Sequence, residues 1–150
     1  MAEEKSKKGR TGGPKTRCSG AWTEAKFKSF VKGNLRRCSM KWAPIGQALK
    51  AARTRRGFYH CAGCEQEVPN SVAVEGSRRR QKNVHVDHIN PVIDPAVGWT
   101  TWDDCINRMF SEIDNLQVLC GDCHTVKTNE EKQVAKERRA REKLEGVDVG

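Results

Sequence analysis

Apolar positions along this chain fall into short blocks whose spacing switches between helical and alternating. Phe27, Phe30 and Val31 recur at helical spacing behind Thr23, a good capping residue, so a first helix is expected that ends near Gly33-Asn34. A second is expected from Ala43-Pro44, with Ile45, Ala48, Leu49 and Ala52 on one face and Arg53, Arg55 and Arg56 at its end. From Glu65 to Val74 the apolar residues are broken by Pro69-Asn70, which leaves room for a short strand or loop only. Asn83 to Pro91 reads NVHVDHINP, where Val84 and Val86 alternate with His85 and Asp87 in a strand that Pro91 stops. Trp102, Cys105, Ile106, Met109 and Phe110 then build an apolar helical face behind Thr100 or Thr101. Leu116 and Val118 interleave with Gln117 in a second strand. From Thr125 onward there is no proline and Lys, Glu, Arg and Ala dominate, so a helix is expected to start near there. Its distal part, Glu130 to Glu145, has few apolar positions and reads as solvent-exposed. The expected fold class is therefore α+β.

Two thiol pairs punctuate this pattern: Cys61-Ala62-Gly63-Cys64, and Cys120-Gly121-Asp122-Cys123 directly after the second strand. Four thiolates in two such pairs match the tetrahedral ligand set of a structural zinc. The gap from Cys64 to Cys120 is far longer than the loop of a simple zinc finger, so a metal here staples the ends of an inserted unit. His60 beside Cys61 competes weakly for a place in that set, and His124 is a fifth candidate. Four cysteines already complete a tetrahedron, which leaves His124 freer to bind something else. With 36% hydrophobic and only 6% aromatic residues the chain implies a small core, and a metal staple would compensate for it. Cys18, Cys38 and Cys105 are left over as ordinary small residues.

Asp87-His88, Asn115 and His124, framed by CAGC and CGDCH, resemble the HNH endonuclease family. The spacing of nine from Asn115 to His124, the following Lys127-Thr128 and the segment GWTTWDDCINRMF also resemble small phage-type HNH proteins. The likeness covers roughly Tyr59 to Glu131, about half of the chain. It implies a small ββα-metal (His-Me finger) core, here stapled by a four-cysteine zinc at Cys61, Cys64, Cys120 and Cys123. An amino-terminal helical arm and a carboxy-terminal helix would flank that core. The implied activity is metal-dependent hydrolysis of DNA phosphodiester bonds to give 5′-phosphate and 3′-hydroxyl ends. By that resemblance His88 is the general base and Asn115 braces the hairpin around it. Asp87 and His124 hold a catalytic divalent ion, which can be magnesium, manganese or nickel. The chemistry suits the residue types: an imidazole takes protons near neutrality, and a carboxylate beside it is a natural ligand for a hard cation.

Charge adds a second asymmetry. The net charge of +9 divides into +13 over residues 1 to 60 and −4 over residues 61 to 150. A basic arm beside a mildly acidic motif region suits delivery of a polyanion, because phosphate contacts supply affinity without reading sequence. Arg78, Arg79, Arg80 and Lys82 form a basic run just ahead of the first motif strand, and Lys127 lies three residues beyond His124; these are the candidate DNA contacts. Trp99 and Trp102 read as core plugs, and Asp103 and Asp104 as favourable charges in a helix's first turn. With no apolar run near eighteen residues and no signal-peptide pattern, a soluble cytoplasmic protein is expected, in the host cytoplasm if phage-encoded, with no membrane partner. The expected organisation is a disordered basic tail (1–20), a basic helical arm (21–57), a nuclease core (58–131) and an exposed helix and tail (132–150). DNA is the expected partner, with a homodimer or a phage packaging partner as further possibilities. The rival reading is a zinc-stapled DNA-binding or packaging module without nuclease activity of its own.

Overall fold

In the computed structural model the described residues are 12–146, and the chain divides into two compact units, Met1–Cys38 and Ser39–Gly150. The expected disorder of the tail falls partly on residues 1–11, outside the described residues. Within the rest, β1 (Lys15–Arg17) pairs antiparallel with β2 (Trp22–Thr23), and α1 (Glu24–Ser39) follows at once. Thr23 caps α1 by accepting the Lys26 amide at 3.2 Å. The helix does not end at Gly33-Asn34 but runs on to Ser39. One interior glycine costs a helix only about 1 kcal/mol relative to alanine, and Asn34 donates its side-chain amide back to the Phe30 carbonyl at 2.8 Å instead of breaking the helix. Arg17 joins hairpin to helix, pairing with Glu24 at 2.8 Å and lying 4.3 Å above the Phe27 ring.

The second unit begins with α2 (Ala43–Ala52), which has the expected Pro44 in its first turn. Arg53 and Arg55 do not extend that helix. They lie in β3 (Arg53–Arg55), the edge of a three-stranded antiparallel sheet with β4 (Phe58–His60) and β5 (Glu67–Pro69). A further hairpin, β6 (Ser71–Ala73) with β7 (Arg80–Lys82), follows, so the Glu65 to Val74 stretch holds two strands where one was expected. Pro69 ends one of them and Ser71 begins the other.

The centre of this unit is the antiparallel pair β8 (Val84–His88) and β9 (Leu116–Cys120), in register from Val84↔Cys120 to His88↔Leu116. Residues on one face of a pleated pair recur every second position. Val84 and Val86 thus share a face with Leu116, Val118 and Cys120, and all of these but Val86 are buried. Helix α2 packs against β8 and β9, contributing buried Ala48. Between the strands, α3 (Trp102–Met109) is capped by Thr101, whose hydroxyl accepts the Asp104 amide at 3.1 Å, and it buries Cys105 and Met109. Trp42 ties the start of α2 to the chain beyond α3 by donating its indole N–H to the Ser111 carbonyl at 2.8 Å. Trp99 and Trp102 meet edge to face at 4.8 Å, each only half-buried.

Helix α4 (Gly121–Leu144) starts four residues before Thr125, because the second thiol knuckle is itself the first helical turn. The Gly121 amide, one of the helix's orphan donors, reaches the Asn83 carbonyl at 2.9 Å and the Asn83 side-chain oxygen at 3.2 Å. The distal half is solvent-exposed, as its composition predicts, with no buried residue, but it is tied down at one point. Arg138 donates to the Pro95 carbonyl at 3.1 Å and pairs with Glu142 at 3.1 Å, with only 12% of its side chain exposed. Gly98, at φ +88°, is required there, since a Cβ would collide with that guanidinium. No described helix is long and apolar enough to cross a membrane.

Candidate functional site

The four thiols meet. The Sγ atoms of Cys61, Cys64, Cys120 and Cys123 all lie within 4.8 Å of one another. Thiolates about 2.3 Å from a zinc ion stand about 3.8 Å apart in a tetrahedron, so the cluster fits a structural metal such as zinc with small adjustment. His60 and His124 are not part of it. Cys61 is completely buried, and Leu119 and Val68 supply the apolar packing around it. Phe58, on the neighbouring strand, lies 3.7 Å under the Arg55 guanidinium.

The local electrostatics favour one anionic sulfur, that of Cys61. Burial pushes the Cys61 thiol up, but the backbone amides of Cys120, Cys64 and Gly63 outweigh it together and bring the group down to about 6. The Cys120 amide contributes at 3.2 Å. Cys123, hydrogen-bonded to Cys120, partly desolvated, and beside the Cys61 and Cys64 sulfurs, is pushed up to about 12. Without a cation the four sulfurs compete for protons; a bound divalent ion would displace those protons and couple its affinity to folding. Gly63 admits the close approach of the two knuckles, since a Cβ there would stand 2.9 Å from both Cβ and Sγ of Cys123.

A second constellation forms where α4 runs back over β8. Strand residues two apart advance about 6.7 Å, and helix residues three or four apart about 4.5–6 Å. The odd-numbered face of β8 therefore meets successive turns of α4. His85 stacks on His124 with ring centroids 4.7 Å apart and planes 19° from parallel. Asp87 Oδ1 is 4.0 Å from His124 Nε2, and Asp87 Oδ2 is 2.9 Å from Lys127 Nζ. Lys127 also pairs with Glu131 and donates to the His88 carbonyl at 2.9 Å. Gln117, opposite Asp87 on β9, reaches the same carboxylate at 3.5 Å. Burial, then the neighbouring His124, push His85 below its ordinary value and favour its neutral form. Burial also pulls Lys127 down, but Glu131 and Asp87 outweigh it and hold the ammonium charged.

His88 leaves the strand on the opposite face from Asp87, as adjacent strand residues must. Its Nε2 is 3.1 Å from the Met109 carbonyl at the end of α3. A carbonyl only accepts, so in the neutral ring Nε2 carries the proton and Nδ1 keeps its lone pair. Asn115 closes this end of the hairpin. Its side-chain oxygen accepts the Asn90 amide at 2.8 Å, its amide donates to the Asn90 carbonyl at 3.3 Å, and its own carbonyl accepts the Ile89 amide at 2.8 Å.

The expected catalytic residues are thus gathered at one end of β8, with Asp87 and His124 on one side and His88 on the other. Two bonds of about 2.1 Å span up to about 4.2 Å, so one ion can be shared across the 4.0 Å between Asp87 and His124. Among the described residues, the four cysteines are the one group of three or more His, Cys, Asp or Glu ligands drawn this tightly together. The candidate DNA contacts separate. Arg78, Arg79, Arg80 and Lys82 are exposed on or before β7, with Arg80 tied to Ser71 at 2.9 Å, whereas Lys127 is engaged with Asp87 and Glu131 inside the constellation. Glu131 was missed by sequence reasoning, although its spacing of seven from His124 places both on one helix face. His85 has the same strand parity as Asp87 and comes against His124 on that face. No family model, curated protein or solved structure matches this chain.

Proposed function

We propose that the chain is a metal-dependent endonuclease of the HNH type, with a ββα-metal core formed by β8, β9 and α4 and a zinc staple at the cysteines. The observation that carries this reading is the meeting of Asp87 and His124 at 4.0 Å, beside a histidine whose proton is fixed on one nitrogen. Among the described residues β8 pairs with β9 alone, so its outer edge is open. A phosphate at that edge, near the strand's end, lies within reach of both faces, and hence of both Asp87 and His88.

In this reading His88 uses Nδ1 to take a proton from the attacking water, while the Met109 carbonyl holds the ring in the required tautomer. Asn115 acts through the backbone, clamping Asn90 so that the chain leaving His88 keeps its direction. Lys127 holds Asp87 and the His88 carbonyl together. A divalent ion bound at Asp87 and His124 supplies electrophilic stabilisation of the phosphate and the leaving oxygen. DNA is the substrate, and the products carry 5′-phosphate and 3′-hydroxyl ends.

One observation favours the binding-module alternative: Lys127 already stands 2.9 Å from Asp87, so that carboxylate has a resident counter-cation. Plasmid relaxation with magnesium or manganese, run beside His88→Ala, separates the two. Nicking by wild type that the variant loses at unchanged zinc content supports the nuclease. A wild-type protein that binds DNA and never nicks it leaves only the module.

A further inference from the structure

Two clefts of similar size open on the second unit, and their charge differs. One, of about 610 Å³, is bordered by Asp94 and Glu131 and by a single cation, Arg108, near the Asn90-Asn115 clamp. The other, of about 580 Å³, has no acidic side chain on its walls and carries Lys82, His85 and His124. Both volumes fall within the roughly 300–1,000 Å³ usual for small-ligand sites. A phosphate-bearing chain is repelled by the carboxylates of the first and attracted to the second.

The second cleft also has a definite course. Val84, His85 and Val86 all line it, although consecutive strand residues point to opposite faces. Residues of both faces can border one cleft only along the strand's edge, so the cleft follows the unpaired side of β8. Lys82 stands at one end of this segment, and Asp87 and His88 continue the strand at the other. The wall across from β8 is apolar and aromatic: Met40, Ile45 and Leu49 from the start of the unit and α2, with Tyr59 from β4. A wall of that kind has no use for phosphate, but it takes the face of a nucleobase, and Asn70 on the rim offers an amide to a base edge.

We propose that this cleft is a nucleotide subsite for unstacked, single-stranded DNA, with a base against Tyr59, Leu49 and Met40 and the backbone passing Lys82 toward the end of β8. The subsite deepens the nuclease reading by giving the path along which the strand reaches His124 and Asp87, but base binding itself needs no cleavage. A base inside a duplex presents only its edge, so the subsite selects melted, flapped or single-stranded DNA over intact duplex.

The test is fluorescence anisotropy of the full-length, zinc-loaded protein with a labelled hexathymidylate and with a short duplex of matched charge, at fixed salt and with no other divalent ion. Tyr59→Ala and Met40→Glu are expected each to weaken hexathymidylate binding about tenfold, in the range of one lost base stack. Duplex binding, held by the basic arm, is expected to move less than twofold. Met40 is 66% exposed, so the glutamate puts a charge in the cleft without disturbing packing. Lys82→Gln should flatten the salt dependence for the single strand by about 0.7 in log–log slope. Unchanged hexathymidylate affinity in both Tyr59→Ala and Met40→Glu, at wild-type zinc content and melting profile, overturns the subsite. Equal losses on single strand and duplex overturn its preference for unstacked bases. Absence of nicking in the plasmid assay with magnesium or manganese, alongside the expected binding losses, would overturn the nuclease reading and leave the subsite standing.

Discussion

The two ends of the β8–β9 pair use the same structural device for opposite purposes. At the Val84↔Cys120 end, two knuckles from distant parts of the chain close on each other, and every sulfur lies near three others, those of Cys61 and Cys120 buried and that of Cys64 on an exposed residue. At the His88↔Leu116 end the chains are also clamped, but by Asn115 on the Asn90 backbone, and the nearby side chains are polar and half-exposed. The first end draws four ligands of one kind from the protein itself. The second leaves a fixed imidazole lone pair and a carboxylate at an open strand edge. A small unit with few buried residues thus concentrates its stabilisation at one end and can leave the other available for chemistry.

That contrast is testable by disturbing each end in turn. The largest effect is expected from the thiol end. Cys120→Ser, or exhaustive chelation, should abolish zinc binding and the cooperative unfolding transition, since structural zinc contributes apparent free energies on the order of 10 kcal/mol. Retention of a sharp calorimetric transition without zinc would show that the apolar core alone holds the unit. Next comes His88→Ala, expected to reduce plasmid nicking by about 10²–10⁴-fold while zinc content and melting profile stay as in wild type. A variant that nicks at the wild-type rate would remove His88 from the chemistry.

Two smaller substitutions sharpen the comparison. Gly63→Ala puts a methyl against Cys123, and overpacking of this kind costs about 1–3 kcal/mol. Urea unfolding should show that loss together with weaker zinc retention; a neutral result would mean the knuckles have slack. Asn115→Ala removes two hydrogen bonds to Asn90 at the open end, where solvent can replace them, so about 1 kcal/mol is expected. Its nicking defect should exceed its stability defect. The reverse order would make Asn115 a structural clamp alone.

Much of this architecture was legible in the residues. The Thr101 cap, the start of α2 at Ala43, and the alternation of Val84 and Val86 against His85 and Asp87 follow from local rules that hold wherever the segment lies in space. The four-cysteine group was legible because two Cys-x-x-Cys pairs have few other uses in a chain of this kind. Misreadings arose where a local rule met a competing contact. Gly33 stays helical because Asn34 bonds back to Phe30, and Arg53 joins a strand because Tyr59 of β4 is there to pair with it. The distal part of α4 is solvent-exposed as its composition indicates, and only the tie of Arg138 to the Pro95 and Val97 carbonyls was not legible.

By itself, then, the sequence determined which residues share a face and which thiols can share an ion, because backbone periodicity and ligand chemistry act over a few neighbouring positions. It did not determine that Lys127 neutralises Asp87, that His85 stacks on His124, or that Tyr59, Lys82 and Leu49 border one cleft. Those pairings join residues that are distant along the chain. They depend on where β9 hands over to α4 and on the path α4 takes back along β8, which three-dimensional packing alone decides.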